Sequence, residues 1–339
     1  MGVILFTAVN AVVPVVLLIL LGYILKQKGF MTKEFVKIGN KLVFNVCLPC
    51  MLFINVYNIE GFSAINWEIV LYGVLMLVVI FILGLGTAVA VTKVPERRGV
   101  ILQCTFRSNI AIIGLSLAST LGGDEAVAVA AIVSSFTVPV NNILAVLSLS
   151  MFTADGCSNK NSFKGVLVNI VKNPLIIGCA LGLVFLGIRE AQIAAFDEVV
   201  FSFSKHTKFL YTAVNNLKAI ATPFALLVLG GQFEFSAVKG LLKEIVTGTL
   251  WRIVLAPLLG IGFAIVLTNM GIISCGVNEY PALVALFGSP VAVSSAVMAG
   301  SMGADEQLAA QLVVWTSIFS IFTIFAEVCI LMSMGLLAV

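Results

Sequence analysis

The sequence predicts an all-α polytopic membrane protein whose ten transmembrane helices form two inverted five-helix repeats. Three observations carry that reading. Of 339 residues, 60% are hydrophobic and only 10% are charged, with a mean hydropathy of +1.15, whereas a soluble domain carries about 25% charged residues. Ten segments reach the length of about 20 mostly apolar residues that a span needs. One interrupted apolar stretch also recurs: with a constant shift of 181 positions, Phe106–Thr120 (FRSNIAIIGLSLAST) falls without a gap on Phe287–Ser301 (FGSPVAVSSAVMAGS).

The segments lie near 3–25, 38–57, 67–92, 98–121, 125–152, 166–188, 209–232, 245–268, 280–302 and 306–336. The first lacks a basic n-region and its apolar run is too long for a signal peptide, so it reads as a span. Basic residues set the orientation. Twelve of them (Lys26, Lys28, Lys33, Lys37, Lys93, Arg97, Arg98, Lys160, Lys164, Lys172, Lys239 and Lys243) fall in alternate loops, against Arg189, Lys205 and Lys208 in the others. That asymmetry puts both termini outside the cytoplasm.

Five spans per half is an odd number, so the second half enters the membrane upside down. The shift of 181 also carries Gly122 onto Gly303 and Asp124-Glu125 onto Asp305-Glu306. Weaker echoes agree: Pro14 and Gly22 in the first segment match Pro174 and Gly182 in the sixth, and Pro49 in the second matches Pro223 in the seventh. The halves are 1–152 and 166–339, joined by a polar cytoplasmic linker at 153–165 (TADGCSNKNSFKG), with no separate soluble domain expected. The stretch 189–208 mixes charge with apolar residues at helical spacing. It reads as an interfacial helix or external cap, with a solvated loop as the alternative.

Several function classes are disfavoured. The seven cysteines are odd in number and sit mostly in apolar runs, which is not a disulfide framework. Cys47-Leu48-Pro49-Cys50 has redox spacing without a βαβ context, and the one histidine, His206, cannot hold a metal alone. No basic tail suggests nucleic acid. HExxH, Walker A and paired intramembrane aspartates are all missing, so no enzyme is expected. A channel would repeat a filter loop, and an ion antiporter would carry several intramembrane carboxylates.

The repeated stretch is where chemistry is expected. Gly, Pro and Ser free backbone groups from the helical ladder, and in lipid such groups survive only when buried in protein or lining a cavity. Broken segments in corresponding positions of two repeats point to a transporter's binding site. In the first copy the break is Asn109, Gly114 and Ser116; in the second it is Gly288, Pro290, Ser294 and Ser295. The alternative is that small residues merely let helices pack closely. Half-helix N-termini there would favour an anion. Arg107 could meet a substrate carboxylate or snorkel to the surface. Glu327, deep in the tenth segment, is either a site for ion or proton coupling or the ion-pair partner of Arg252, Lys218 or Lys41. Asn141 is kept as a lining residue from among the polar residues at depth, which include Asn142, Asn45, Asn55 and Asn10.

At these motifs the chain resembles the auxin efflux carrier family of secondary transporters over essentially its whole length. Ser108-Asn109 followed by Ile113-Gly114-Leu115 is similar to the family's S-N-x-x-x-x-G-x-P pattern. Thr222-Pro223-Phe224-Ala225-Leu226 with Gly230 resembles T-P-x-A-L-x-x-x-G, and Asn173-Pro174 opens the sixth span in the same way. The resemblance implies that spans four and nine are broken and cross at mid-membrane. It implies interleaved scaffold and transport parts, elevator-type motion, homodimers and a small organic anion as substrate. Asn109 matches the family's substrate-contacting asparagine and Pro290 a crossover proline. Ser116 stands where the family has proline, and Ser294-Ser295 stands near a second such position. The apolar run of the third span, VLYGVLMLVVIFILGLG (70–86), has no carboxylate, unlike the plant carriers, so mono- or dicarboxylates such as malate or malonate are implied rather than auxin. The expected place is the cytoplasmic (inner) membrane, with no cofactor and with coupling to Na⁺, to H⁺ or to the membrane potential left open. The alternatives are a Na⁺-coupled carrier of the bile-acid type and a membrane sensor that binds without transporting.

Overall fold

The computed structural model describes residues 2–58, 66–152 and 171–337, with the backbone alone for 2–12. The expected linker 153–165 lies outside the described residues, as do Lys160, Lys164 and positions 166–170 of the sixth segment. Among the described residues the chain is all-helical, with one isolated antiparallel bridge and no strand.

The helices are α1 (Gly2–Gln27), α2 (Lys33–Tyr57) and α3 (Trp67–Val91), α4 (Pro95–Phe106), α5 (Ile110–Ser150) and α6 (Pro174–Phe196). After a short α7 (Phe203–His206) come α8 (Lys208–Gln232) and α9 (Phe235–Asn269), α10 (279–288), α11 (Ser294–Ser301) and α12 (Glu306–Ser333). Side-chain caps set several starts. Thr32 Oγ1 accepts from the Phe35 N–H at 3.1 Å, Asn173 Oδ1 from Leu175 at 2.9 Å ahead of Pro174, and Asp305 Oδ1 from Leu308 at 2.9 Å.

Seven helices among the described residues (α2, α3, α5, α6, α8, α9 and α12) are each long and apolar enough to cross a membrane. Most of their length is apolar on every side, although α2 opens on the charged stretch KEFVKIGNKL and α8 carries Lys218. On α3, Ile69, Leu77 and Ile80 are buried while Leu71, Leu75 and Ile82 are more than half exposed. In water such a face would be a liability; in lipid it is the expected outer surface. The predicted first segment falls on α1, whose side chains are described from Val13 onward. The two remaining segments, 98–121 and 280–302, are each interrupted, at 107–109 and at 289–293. The predicted fourth and fifth segments are divided where expected, by a break of two non-helical residues inside α5, Gly122 (φ −152°, ψ 15°) and Gly123, with no longer loop between them. Gly123 (φ 65°, ψ −154°) has a backbone conformation essentially confined to glycine. The stretch 189–208 is not an independent helix: its first part continues α6 to a left-handed Asp197 (φ 56°), and α7 follows.

The helices pack in two clusters. In one, α1 lies along α8, and α2 packs against both α6 and α8. In the other, α3 packs on α4 and α5, α5 on α10, and α12 on α9 and α11; α1 and α12 join the clusters. Glycines permit the tightest contact. A Cβ on Gly230 would overlap the carbonyl of Ile19 on α1, and one on Gly22 would overlap the carbonyl of Leu227 on α8. Gly230→Ala should therefore lower the thermal unfolding midpoint of purified protein in detergent, by the equivalent of about 1–3 kcal/mol of overpacking. Gly262→Ala, built in open space on α9, should leave the midpoint in place.

Candidate functional site

The site begins with two helix ends that cannot continue. α4 stops at Phe106 and α5 starts at Ile110; α10 stops at Gly288 and α11 starts at Ser294. The freed backbone groups answer one another. The Asn109 N–H donates to the Pro290 carbonyl at 2.8 Å, and the Ala292 N–H to the Arg107 carbonyl at 3.3 Å, so that Ser108 and Val291 pair as an antiparallel bridge. Pro290 needs no partner for a missing N–H, and the Val291 N–H reaches Thr316 Oγ1 on α12 at 3.2 Å. Three π-helical turns adjoin this junction, at 110–114, 251–255 and 284–288, the kind of local widening that recurs at functional sites.

The carbonyl-rich ends of α4 and α10 converge on Arg252, which is fully buried on the π turn of α9. Its Nε donates to Ser289 O at 2.8 Å. Its Nη2 donates to Phe287 O at 2.8 Å and Leu286 O at 3.0 Å, and its Nη1 to Thr105 O at 3.4 Å. A fixed cation thus sits at the negative ends of both half-helices. Arg252→Leu would orphan these carbonyls. It should lower stability in detergent by about 3–5 kcal/mol, with Arg252→Lys recovering only part of the loss.

Opposite Arg252, α5 and α11 begin, and beside their first residues lies a cavity of about 60 Å³. Arg107, Asn109, Asn141, Asn142, Thr222 and Ser294 give it polar walls, while Leu48, Met51 and Leu175 close its apolar side. Arg107 is only 3% exposed, so it does not snorkel. Its guanidinium donates to Asn142 Oδ1 at 2.8 Å, Ser294 Oγ at 3.0 Å, Gln103 Oε1 at 3.3 Å and Met298 Sδ at 2.9 Å. Every one of these acceptors is neutral, and Arg107 forms no ion pair among the described residues. Asn109 Nδ2, both amide atoms of Asn141 and Ser108 Oγ are buried without a hydrogen-bond partner, in a fold where buried polar groups are normally paired. The site therefore presents one cation and several unused polar atoms to whatever enters it.

Of the residues expected from sequence, Arg107, Asn109, Asn141 and Ser294 come together here; the others do not line the cavity. Gly114 faces the neighbouring helix, where a Cβ would come within 2.7 Å of the Ala285 carbonyl. Ser116 is exposed and its hydroxyl turns back to Ile112 O at 3.1 Å. Pro290 contributes its carbonyl to the bridge, and Ser295 its carbonyl to Gln103 Nε2 at 3.1 Å. Glu327 lies beside Gly288 with both carboxylate oxygens buried and unpartnered, and it forms no ion pair with Arg252, Lys218 or Lys41. Sequence reasoning named Asn142 only as a polar residue at depth and did not name Gln103; both are among the four acceptors that hold Arg107. Gln103 precedes Arg107 by four residues, a helical spacing that was the available signal.

Larger cavities flank the site at both ends. One of about 410 Å³ shares Met51, Leu52, Ala111, Ile112, Val138 and Thr222 with it. The other, of about 770 Å³, is lined by Lys26, Lys33, Lys37 and Lys41 but shares no residue with the site. It ends three to seven residues away along the chain, at Asn45, Gln232 and Ser301, where the site has Leu48, Ala225 and Ser294.

Comparison with known proteins agrees with a transporter. The chain matches the family profile described as "Membrane transport protein" over residues 7–326. It is 24% identical over 300 residues to the uncharacterized transporter YfdV of Escherichia coli K12, covering 86% of this chain and 87% of that one. It is 22% identical over 321 residues to the uncharacterized transporter MJ1031 of Methanocaldococcus jannaschii, covering 93% and 96%. With a profile match across nearly its whole length and an all-helical, multi-span fold, the chain belongs to the membrane transport protein family, that of the auxin efflux carriers.

Proposed function

We propose that the protein is a secondary transporter that moves a small organic anion, a mono- or dicarboxylate, across the cytoplasmic membrane. The observation that carries this reading is Arg107: a buried cation with only neutral acceptors, facing a cavity whose asparagines have unused donors. An ionisable residue at membrane depth is a functional residue by default, and the natural partner for this one is a carboxylate that arrives and leaves. The first residues of α5 and α11 add the positive ends of two helix dipoles.

In this reading the interrupted segments are corresponding parts of two inverted repeats, ten spans in all, crossing where their backbones exchange hydrogen bonds. The cluster of α1, α2, α6 and α8 acts as scaffold. The cluster that holds both interruptions moves against it as an elevator, carrying Arg107 and Asn109 between the two flanking cavities. The lysine-lined cavity faces the cytoplasm and both termini lie outside. Coupling through Na⁺ at the half-helix carbonyls is disfavoured, because the Arg252 guanidinium already occupies the place where a coordinated cation would sit.

Counterflow in proteoliposomes with malate, malonate, succinate and lactate tests the reading. Flux should appear for at least one acid and fall about ten-fold or more in Asn109→Ala, the loss expected when a substrate contact goes, with the variant still eluting as folded protein. Equal flux in Asn109→Ala, or no flux for any acid, would contradict it.

A further inference from the structure

The 410 Å³ cavity beside the site contains a charge that the reading above does not use. Lys218 lines it, in the middle of the 25-residue α8, where a charged side chain is costly and marks a functional position. Thr222, one helical turn further on, lines both this cavity and the site, so Lys218 stands about 6 Å along the helix axis from the shared wall. Among the described residues Lys218 forms no ion pair and no hydrogen bond. The polar side chains around it, Asn55, Asn58, Ser134 and Ser135, are neutral. Among the described residues two cations, Arg107 and Lys218, thus face connected cavities whose linings contain no acid. Apart from Thr222 the shared wall between them is apolar, with Met51, Ile112 and Val138 as its larger side chains. The lysine-lined cavity at the other end differs: it contains its own acids, Glu234, Asp305 and Glu306, and Lys26 pairs with Glu234 at 3.3 Å.

We infer that Lys218 forms a second anion subsite and that the substrate is a dicarboxylate bound between Arg107 and Lys218. This rests on the carrier reading above. One carboxylate meets Arg107 with the free amide donors of Asn109 and Asn141. The hydrocarbon link lies against Met51, Ile112 and Val138, and the second carboxylate reaches the Lys218 ammonium. The two cations play unequal parts. Arg107 is held by four acceptors and fixes position; Lys218 is a point charge on a flexible stem and selects for the second negative charge. A monocarboxylate would leave Lys218 without a counter-charge.

The test is counterflow of labelled succinate in proteoliposomes of the full chain, with succinate and monomethyl succinate as competitors. The second matches the first with one carboxylate masked as its methyl ester. Malonate and glutarate vary the distance between charges. Wild type should prefer succinate over monomethyl succinate by roughly ten-fold or more, the scale of one charge contact in a partly dry site. K218R should keep that preference and K218Q should bring the ratio close to one. A wild-type ratio near one, or a K218Q ratio equal to wild type, would overturn the second subsite. If flux for a single-charge acid still vanished in Asn109→Ala, the site at the interruptions would stand alone. No flux of any acid would overturn both readings together. Should K218Q not fold, the wild-type analogue ratio decides by itself.

Discussion

The structure depends on two broken helices completing each other's backbone. An N–H or C=O released from a helix inside a membrane has no water to turn to, and each unsatisfied group costs several kcal/mol, on the order of a lost hydrogen bond in hydrocarbon. Here the Asn109 N–H goes to Pro290 and the Ala292 N–H to Arg107 O. Neither interruption is affordable alone. This reciprocity explains why the breaks lie where the two copies of the repeat meet, and why Pro290, with no N–H of its own, is tolerated at the point of contact.

Breaking two helices at one place also leaves four new ends, and their charges are handled separately. The carbonyl ends of α4 and α10 are gathered by Arg252, a permanent guanidinium with no freedom left to move. The N–H ends of α5 and α11 receive the opposite treatment: beside them stands another cation, Arg107, balanced only by neutral oxygens and a thioether. A charge at membrane depth costs about 2.5–3.5 kcal/mol on insertion scales, and the positive helix ends add to that cost. That uncompensated charge is what the proposed anion would complete. Glu327 does not serve, since its carboxylate lies beside Gly288 and forms no ion pair with either arginine.

The all-helical class of the fold and the location of the two interruptions could be read from the chain because both leave periodic or repeated marks. Apolar length identified the membrane segments, and the 181-residue shift located both interruptions through Ser, Gly and Pro. The rotation of side chains about each helix left no such mark. Asn141 and Asn142 are adjacent, yet one has no partner and the other holds Arg107. Ser116 belongs to the repeated motif but points away from the cavity. Arg252 was legible only as a buried charge awaiting an acid. Its true partners are backbone carbonyls, which every residue type carries and which no sequence pattern reveals. The boundary between the fourth and fifth segments was legible as Gly122-Gly123, and the backbone leaves helical geometry at those two residues.

In the proposed function the meeting of the two interruptions is an anion site centred on Arg107. Cryo-electron microscopy of the protein in lipid nanodiscs with saturating succinate tests it most directly. The account predicts added density in contact with the Arg107 guanidinium and the Asn141 amide, with the Asn109–Pro290 backbone bond intact. Density confined to the lysine-lined cavity, or an Arg107 turned away to pair with a carboxylate of the chain itself, would contradict it.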